Sequence, residues 1–201
     1  MAKPDARYGR RLVIFAKAPQ MGRVKTRLAR ELGAVAATQW YRNICARVMS
    51  RLARDTRWET LLAVSPDSAA QGVALWPQIW PPGVPRRPQG SGNLGHRMGR
   101  IFRTLPPGPV VLVGSDIPDI SPAHIAQAFK ALGSHDAVIG PATDGGYWLI
   151  GFKRMKPEAH VFAGVRWSSQ YALADTLKTL DGLSIAYLPL LQDVDKAGDL
   201  H

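Results

Sequence analysis

Short apolar runs alternate with segments of helical spacing along most of the chain. Apolar runs of strand length cover residues 12–15, 59–64 and 110–114. Between the first two runs, apolar side chains recur at every fourth position, as in the buried stripe of a helix: Trp40, Ile44, Val48 and Leu52. This alternation predicts an α/β fold in which helices flank a mostly parallel, mixed sheet.

Start and stop signals place the remaining elements. Helices are predicted over residues 24–54, 94–105, 121–132 and 168–180, with a short one near residue 70. Further strands are predicted over residues 136–142, 147–152 and 184–191, the first two joined by a tight turn. Gly33 is expected to interrupt the first helix, and the proline-rich residues 76–88 are expected to be irregular or at a sheet edge.

The composition is that of a globular protein, and we expect one domain over residues 1–201. The 201 residues are 46% apolar and 20% charged, which suits one buried core. No apolar segment reaches the roughly 20 residues of a membrane span, and the N-terminus lacks a signal-peptide pattern. The single cysteine, Cys45, excludes an internal disulfide and is expected to be buried, so a cytoplasmic location is expected.

Positive charge is concentrated in the first part of the chain. Residues 1–57 contain 14 Lys and Arg against 3 Asp and Glu, which accounts for the whole net charge of +11. The loop after the first apolar run contains Gly22 and four cations, which are Lys17, Arg23, Lys25 and Arg27. Arg guanidinium groups, Lys ammonium groups and the free N–H groups at the start of a helix can all bind phosphate oxygens. The loop therefore predicts a phosphate or diphosphate site, with ordinary solvated charge as the alternative.

Carboxylates follow several of the predicted strands. Asp116 comes after residues 110–114, Asp144 lies in the tight turn, and Asp193 and Asp195 follow the last strand. Ligands of open parallel sheets bind beyond the carboxyl ends of the strands, where such side chains converge. Oxygen ligands beside a phosphate loop would hold Mg²⁺ or Mn²⁺. Each carboxylate alone also suits a turn or a helix cap, so the prediction depends on their common placement.

A glycine-rich segment provides a further candidate for nucleotide binding. Gly90, Gly92 and Gly95 have the spacing of a dinucleotide fingerprint, and Asp116 follows 21 residues after Gly95. No apolar strand directly precedes these glycines, so nicotinamide binding is the weaker alternative. We expect the segment from Gln89 to Gly95 to approach a nucleotide base or ribose.

Three linked motifs resemble one known family. The pattern F-A-K-x-P-x-x-G-x-x-K-T-R-L matches residues 15–28, G-S-D-x-P-x-[LI] matches residues 114–120, and P-x-x-D-G-G-Y-x-L-x-G matches residues 141–151. A fourth motif aligns with residues 89–98, with Asn93 in place of Asp. On these motifs the chain resembles the DUF2064 family of the glycosyltransferase-A (GT-A) superfamily, which is related to nucleotidyltransferases of the CofC and MobA type.

The resemblance implies a nucleotide-diphospho-sugar transferase-like fold and a set of site residues. Lys17, Lys25 and Arg27 would contact phosphates, and Asp116 would be the metal-binding aspartate. Asp195 would be the second metal-side carboxylate, although the sequence after it departs from the family pattern. The acceptor side would be formed by Asp144, Gly145, Gly146, Tyr147, Trp167 and Ser168.

These observations favour a metal-dependent glycosyltransferase that uses a nucleotide-diphospho-sugar donor and a small-molecule acceptor. Asp144 is the candidate general base that would activate an acceptor hydroxyl. The first alternative is a nucleotidyltransferase, which would use the same loop and metal with an NTP and a phosphorylated acceptor. The second alternative is a basic nucleic-acid-binding module, which lacks interleaved aromatic residues on the basic segment and leaves the strand-end carboxylates without a role.

Overall fold

A seven-stranded mixed sheet with five flanking α-helices forms the parts of the chain that the computed structural model describes, which are residues 9–71, 79–153, 161–192 and 198. The strands are β1 (Arg11–Lys17), β2 (Glu59–Ser65), β3 (Arg86–Pro88), β4 (Val110–Gly114), β5 (Ala137–Pro141), β6 (Tyr147–Phe152) and β7 (Ile185–Tyr187). The helices are α1 (Thr26–Leu32), α2 (Ala34–Ala53), α3 (Leu94–Thr104), α4 (Pro122–Ala131) and α5 (Ala172–Lys178). The predicted α/β class is confirmed.

The order of the strands brings several carboxyl ends to one edge of the sheet. The order is β3-β2-β1-β4-β6-β5-β7, and β6 alone among these strands runs antiparallel to its neighbours. β1 pairs in parallel with both β2 and β4, so Leu12 lies between Thr60 and Val111. The segments that leave β1, β3 and β4 therefore begin at the same edge.

Two apolar layers cover the faces of the sheet. Because side chains alternate along a strand, Leu12 and Ile14 pack toward α2 and α4, whereas Val13 packs toward α3. Each layer contains fully buried side chains, such as Leu52 on the face of α2 and α4 and Phe102 on the face of α3. Within the described residues, no helix is both long enough and apolar enough to span a membrane.

The first predicted helix is two helices, separated at the glycine where an interruption was expected. Gly33 has φ 84°, a conformation that suits glycine, and α2 starts directly after it. The start at Val24 was two residues too early, because Lys25 adopts the left-handed conformation (φ 45°, ψ 49°) and α1 begins at Thr26. The buried Val24 side chain belongs to the loop.

Two elements near the C-terminal end are shorter than the patterns predicted. The helix expected over residues 168–180 is α5, Ala172–Lys178, because Ser168 has φ 57° and cannot continue a right-handed helix. The strand expected over residues 184–191 is reduced to β7, followed by an isolated bridge between Ala142 and Leu191. The proline-rich segment contains β3, which lies at an edge of the sheet as expected.

Candidate functional site

A cleft of about 710 Å³ lies beyond the carboxyl ends of the parallel strands. Its walls come from the segments after β1, β3 and β4, the β5–β6 turn and the residues before α5. Seven of the residues proposed from the sequence line it, namely Lys17, Lys25, Arg27, Gln89, Asp116, Asp144 and Ser168. The fold therefore brings the cationic loop and two of the predicted carboxylates into one cavity.

Lys25 and Asp116 form an ion pair inside this cleft. Lys25 Nζ lies 2.8 Å from Asp116 Oδ2, and the two side chains are 6% and 32% exposed. The ammonium group also lies 5.9 Å from the centre of the Trp40 ring, within range of a cation–π contact. The left-handed backbone at Lys25 sets the direction in which its side chain leaves the loop. The cleft thus contains a buried lysine held against the carboxylate at the end of β4.

Tyr41 of α2 anchors the beginning of the cationic loop. Its hydroxyl accepts a hydrogen bond from the Lys17 main-chain N–H (3.0 Å) and donates one to the Lys17 carbonyl (3.1 Å). Burial, with smaller contributions from Cys45 and Asp116, raises the pKa of Tyr41 well above its ordinary value. The hydroxyl therefore stays protonated at neutral pH and can serve as donor and acceptor at once.

Cys45 lies under the cleft and is buried as expected. Its Sγ donates a hydrogen bond to Ser115 Oγ (3.3 Å), the residue next to Asp116. Burial is the main reason that the pKa of Cys45 rises to about 12, and the Asp116 charge adds to it. Because the thiolate is the nucleophilic form, this thiol has a packing role beneath the Asp116 loop.

Gln89 ties together the ends of three strands at the base of the cleft. Its Nε2 donates to the carbonyls of Ala16 (3.2 Å) and Ala63 (2.8 Å), and its main-chain N–H donates to Val64. Both hydrogens of the side-chain amide are therefore donated to carbonyl oxygens, so Oε1 faces away from Ala16 and Ala63. There Arg97 Nη1 donates to Oε1 at 3.5 Å.

Arg97 and Tyr41 line the cleft but were not among the residues proposed from the sequence. Arg97 lies four residues after Asn93, which caps α3 by accepting from the His96 N–H. Positions four residues apart lie about one helical turn apart on the same face of a helix. The helical spacing of residues 94–105 could therefore have indicated that Arg97 faces the same side as Asn93. Tyr41 directly follows Trp40 of the apolar stripe and gave no polar signal.

Asp144 lies in a tight turn at the opposite wall. Its Oδ1 accepts a hydrogen bond from the Gly146 N–H (2.8 Å), and the residue is exposed to the cleft. Gly145 has φ 83°, and a Cβ there would collide with the main chain of Gln170. The Leu173 N–H donates to the Gly145 carbonyl (3.0 Å), so the turn and the segment before α5 form one wall.

Other proposed acceptor-side residues lie behind this wall. The Tyr147 hydroxyl accepts from Thr176 Oγ1 (3.4 Å), and burial raises the Tyr147 pKa above its ordinary value. The Trp167 ring packs on Phe162 with centroids 6.1 Å apart, and a Cβ on Gly95 would lie 2.7 Å from Trp167 Cζ2. Gly95, Tyr147 and Trp167 therefore belong to a packed layer that supports the cleft, and direct ligand contacts by them stay predictions.

Gly22, Arg23, Gly145 and Gly146 also lie outside the set of side chains that line the cleft. Gly22 and Arg23 are exposed, and Gly22 has φ 74° in the loop between β1 and α1. Their proposed part in phosphate binding stays a prediction. Asp193 and Asp195 lie outside the described residues, so the metal role proposed for Asp195 also stays a prediction.

Asp116 has the chemistry of a ligand for Mg²⁺ or Mn²⁺. Magnesium is commonly held by one or two carboxylates together with substrate phosphates and water, so one carboxylate facing a phosphate site fits such an ion. The described residues contain no cluster of three or more Asp, Glu, His or Cys side chains. Any metal bound at Asp116 would therefore depend on phosphate oxygens, water or residues beyond the described ranges.

Together the sheet and its flanking helices form a GT-A-like α/β fold of the kind found in nucleotide-diphospho-sugar transferases. The family model described as "Uncharacterized protein conserved in bacteria (DUF2064)" matches residues 48–169. The chain belongs to the DUF2064 family. No curated protein matches it.

Solved structures of similar fold include transferases of two kinds. A proposed nucleotide-diphospho-sugar transferase from Desulfovibrio desulfuricans G20 is 31% identical, with a TM-score of 0.80 over 94% of this chain and 83% of that one. The 4-diphosphocytidyl-2C-methyl-D-erythritol synthase of Anaerococcus prevotii DSM 20548 is 10% identical, with a TM-score of 0.63 over 96% and 95%. Glucosyl-3-phosphoglycerate synthase of Mycobacterium tuberculosis, solved with Mn²⁺, UDP and glucosyl-3-phosphoglycerate, is 11% identical, with a TM-score of 0.55 over 96% and 74%.

Proposed function

We propose that this protein is a metal-dependent glycosyltransferase that uses a nucleotide-diphospho-sugar donor. The observation that carries the proposal is the convergence of Lys17, Lys25 and Arg27 with Asp116 and Asp144 in one cleft. A diphosphate needs several cations close together, and a sugar transfer needs a carboxylate on the acceptor side. The cleft contains three such cations together with Asp144, which supports this assignment.

The cationic wall suits a leaving nucleoside diphosphate. Lys17 and Lys25 offer ammonium groups, and Arg27 offers a guanidinium that can contact two oxygens at once. A Mg²⁺ or Mn²⁺ ion held by Asp116 would supply further neutralisation of the charge that builds on the diphosphate as it leaves. The segment from Gln89 to Asn93 would lie against the base and ribose.

Asp144 is the proposed general base. In an inverting transfer, its carboxylate would take the proton of an acceptor hydroxyl as that oxygen bonds to the anomeric carbon. The bond from that carbon to the diphosphate oxygen would break, and the electron pair would leave with the nucleoside diphosphate. The Gly146 N–H, which donates to Asp144 Oδ1, would hold the carboxylate in position.

The comparisons support a transferase of this general class. The 31% identical protein of D. desulfuricans is a proposed nucleotide-diphospho-sugar transferase, and the M. tuberculosis synthase was crystallised with Mn²⁺ and UDP. The synthase of A. prevotii has the same fold, so fold alone does not separate glycosyl from nucleotidyl transfer.

The two reactions release different products, which gives the test. Purified protein would be incubated with Mn²⁺, a panel of UDP-, GDP-, ADP- and CDP-sugars, and pooled neutral and phosphorylated acceptors. The proposal expects release of a nucleoside diphosphate that depends on metal and acceptor. Pyrophosphate release from an NTP in a parallel panel, with no diphosphate release from the sugars, would replace the proposal with nucleotidyl transfer.

A further inference from the structure

Lys25 is held in one orientation by four separate features. Its backbone is left-handed, which is uncommon for a residue with a side chain, and its whole side chain is only 6% exposed. The Trp40 ring lies near the ammonium group, and Asp116 Oδ2 lies 2.8 Å from Nζ. A long surface lysine normally samples many rotamers, whereas this one is held beside the Asp116 carboxylate.

The ammonium group of Lys25 lies at one of the two Asp116 oxygens that could bind a metal. Divalent ions bind carboxylate oxygens at about 2.0–2.6 Å, and such an ion beside Asp116 Oδ2 would come close to Lys25 Nζ. A metal ion and an ammonium group that share one carboxylate oxygen repel each other strongly in a partly buried site. A metal therefore binds Asp116 more favourably when Lys25 moves its charge to another anion.

We propose that Lys25 is a switch that exchanges Asp116 for a phosphate of the nucleotide. This inference rests on the proposed function, because it assumes a nucleotide phosphate and a metal in the same cleft. With no nucleotide bound, Lys25 neutralises Asp116 and keeps its affinity for metal low. When a diphosphate enters, Lys25 transfers to its oxygens, and Asp116 becomes available to the metal. Metal and nucleotide consequently bind with positive coupling, and each strengthens the other by the same factor.

The test measures Mn²⁺ binding by the loss of the free-ion EPR signal, with and without UDP, in the full chain. Wild-type protein is expected to bind Mn²⁺ weakly alone and at least tenfold more tightly with UDP. Lys25→Met is expected to bind Mn²⁺ about tenfold more tightly than wild type without UDP, and to gain less from UDP. Lys25→Gln serves as a second removal of the charge if the methionine variant unfolds.

Arg27→Met is the matched control, because it removes one positive charge from the same cleft. Arg27 is exposed, so its effect on Mn²⁺ affinity without UDP should stay within about threefold. The switch would be overturned if the Mn²⁺ affinity shifted equally in the Lys25 and Arg27 variants, or if it shifted in neither Lys25 variant. It would also be overturned if none of the proteins bound Mn²⁺. If UDP did not bind at all but Lys25→Met still had a raised Mn²⁺ affinity, the proposed function would be overturned. The competition between Lys25 and the metal for Asp116 would still hold.

Discussion

The Tyr41 hydroxyl fixes both main-chain atoms of Lys17, the residue where β1 ends and the cationic loop begins. In Tyr41→Phe, the Lys17 N–H loses its acceptor, and a lost hydrogen bond of this kind costs about 1–3 kcal/mol. We expect the free energy of unfolding in urea to fall by about this amount, and the affinity for nucleotide to fall as well. Tyr187→Phe, at an exposed tyrosine in β7, should change the unfolding free energy by less than about 0.5 kcal/mol.

Asp144→Asn separates chemistry from structure at the acceptor wall. The asparagine oxygen can still accept the Gly146 N–H, so the turn should remain intact, but an amide cannot act as a base. We expect kcat to fall about 10²–10⁴-fold, with little change in the KM for the nucleotide sugar. A variant that keeps wild-type kcat would remove Asp144 from the proposed mechanism.

The packing of α3 against the loop before α5 depends on the absence of a side chain at Gly95. A Cβ there would lie 2.7 Å from Trp167 Cζ2 and 2.9 Å from Phe162 Cβ, both in the packed layer behind the cleft. Gly95→Ala should therefore lower the free energy of unfolding by about 1–3 kcal/mol. Gly99→Ala, one turn later, meets the end of the Arg103 side chain, which can move, so it should be neutral or stabilising. Equal losses in the two variants would contradict this account.

An ion pair joins α5 to the loop that carries Ser168. Arg166 Nε and Nη2 donate to the Asp175 carboxylate at 2.7 and 2.9 Å, and these bonds hold the pKa of Asp175 well below its ordinary value. A carboxyl whose pKa is lower in the folded state stabilises that state above the unfolded pKa of about 3.9 and loses this contribution as the pH falls. Asp175→Asn should therefore lower the Tm at pH 7, and the difference from wild type should shrink as the pH falls below about 4.

Asp181→Asn, at an exposed position after α5, is the control for that experiment. Its Tm difference from wild type should stay small from pH 7 to pH 3. If the difference between wild type and Asp175→Asn grows as the pH falls, the ion pair does not stabilise the folded loop.

At the scale of the whole molecule, the strand and helix order was predictable from the sequence because apolar periodicity reports burial on each face of the sheet. The hairpin of β5 and β6 was predictable too, since Asp144, Gly145 and Gly146 are residues that tight turns favour. The residues at which helices and strands begin and end were harder to predict. Nothing local in the sequence signals the left-handed backbone of Lys25 or Ser168, which keeps α1 from beginning at Val24 and α5 from beginning at Ser168.

The candidate site was predictable where residue chemistry is distinctive and hidden where it depends on contacts between distant segments. Charged residues after a strand, such as Lys25 and Asp116, stood out, and the fold brings them to 2.8 Å. Tyr41 and Arg97 reach the cleft from helices, and only the packing of α2 and α3 reveals which way they face. The spacing of Gly95 indicated a nucleotide contact, which stays a prediction, and gave no sign that Gly95 also packs against Trp167.

At the centre of the proposed function, a nucleoside diphosphate binds in this cleft together with a metal held by Asp116. Thermal unfolding with a panel of nucleotide sugars, with and without Mn²⁺, tests it most directly, because a ligand that binds the folded state raises the Tm. We predict that at least one UDP- or GDP-sugar raises the Tm by several degrees more with Mn²⁺ than without, and that Asp116→Asn removes the metal-dependent part. A full metal-dependent rise in Asp116→Asn, or no rise with any nucleotide sugar in the wild-type protein, would contradict the account.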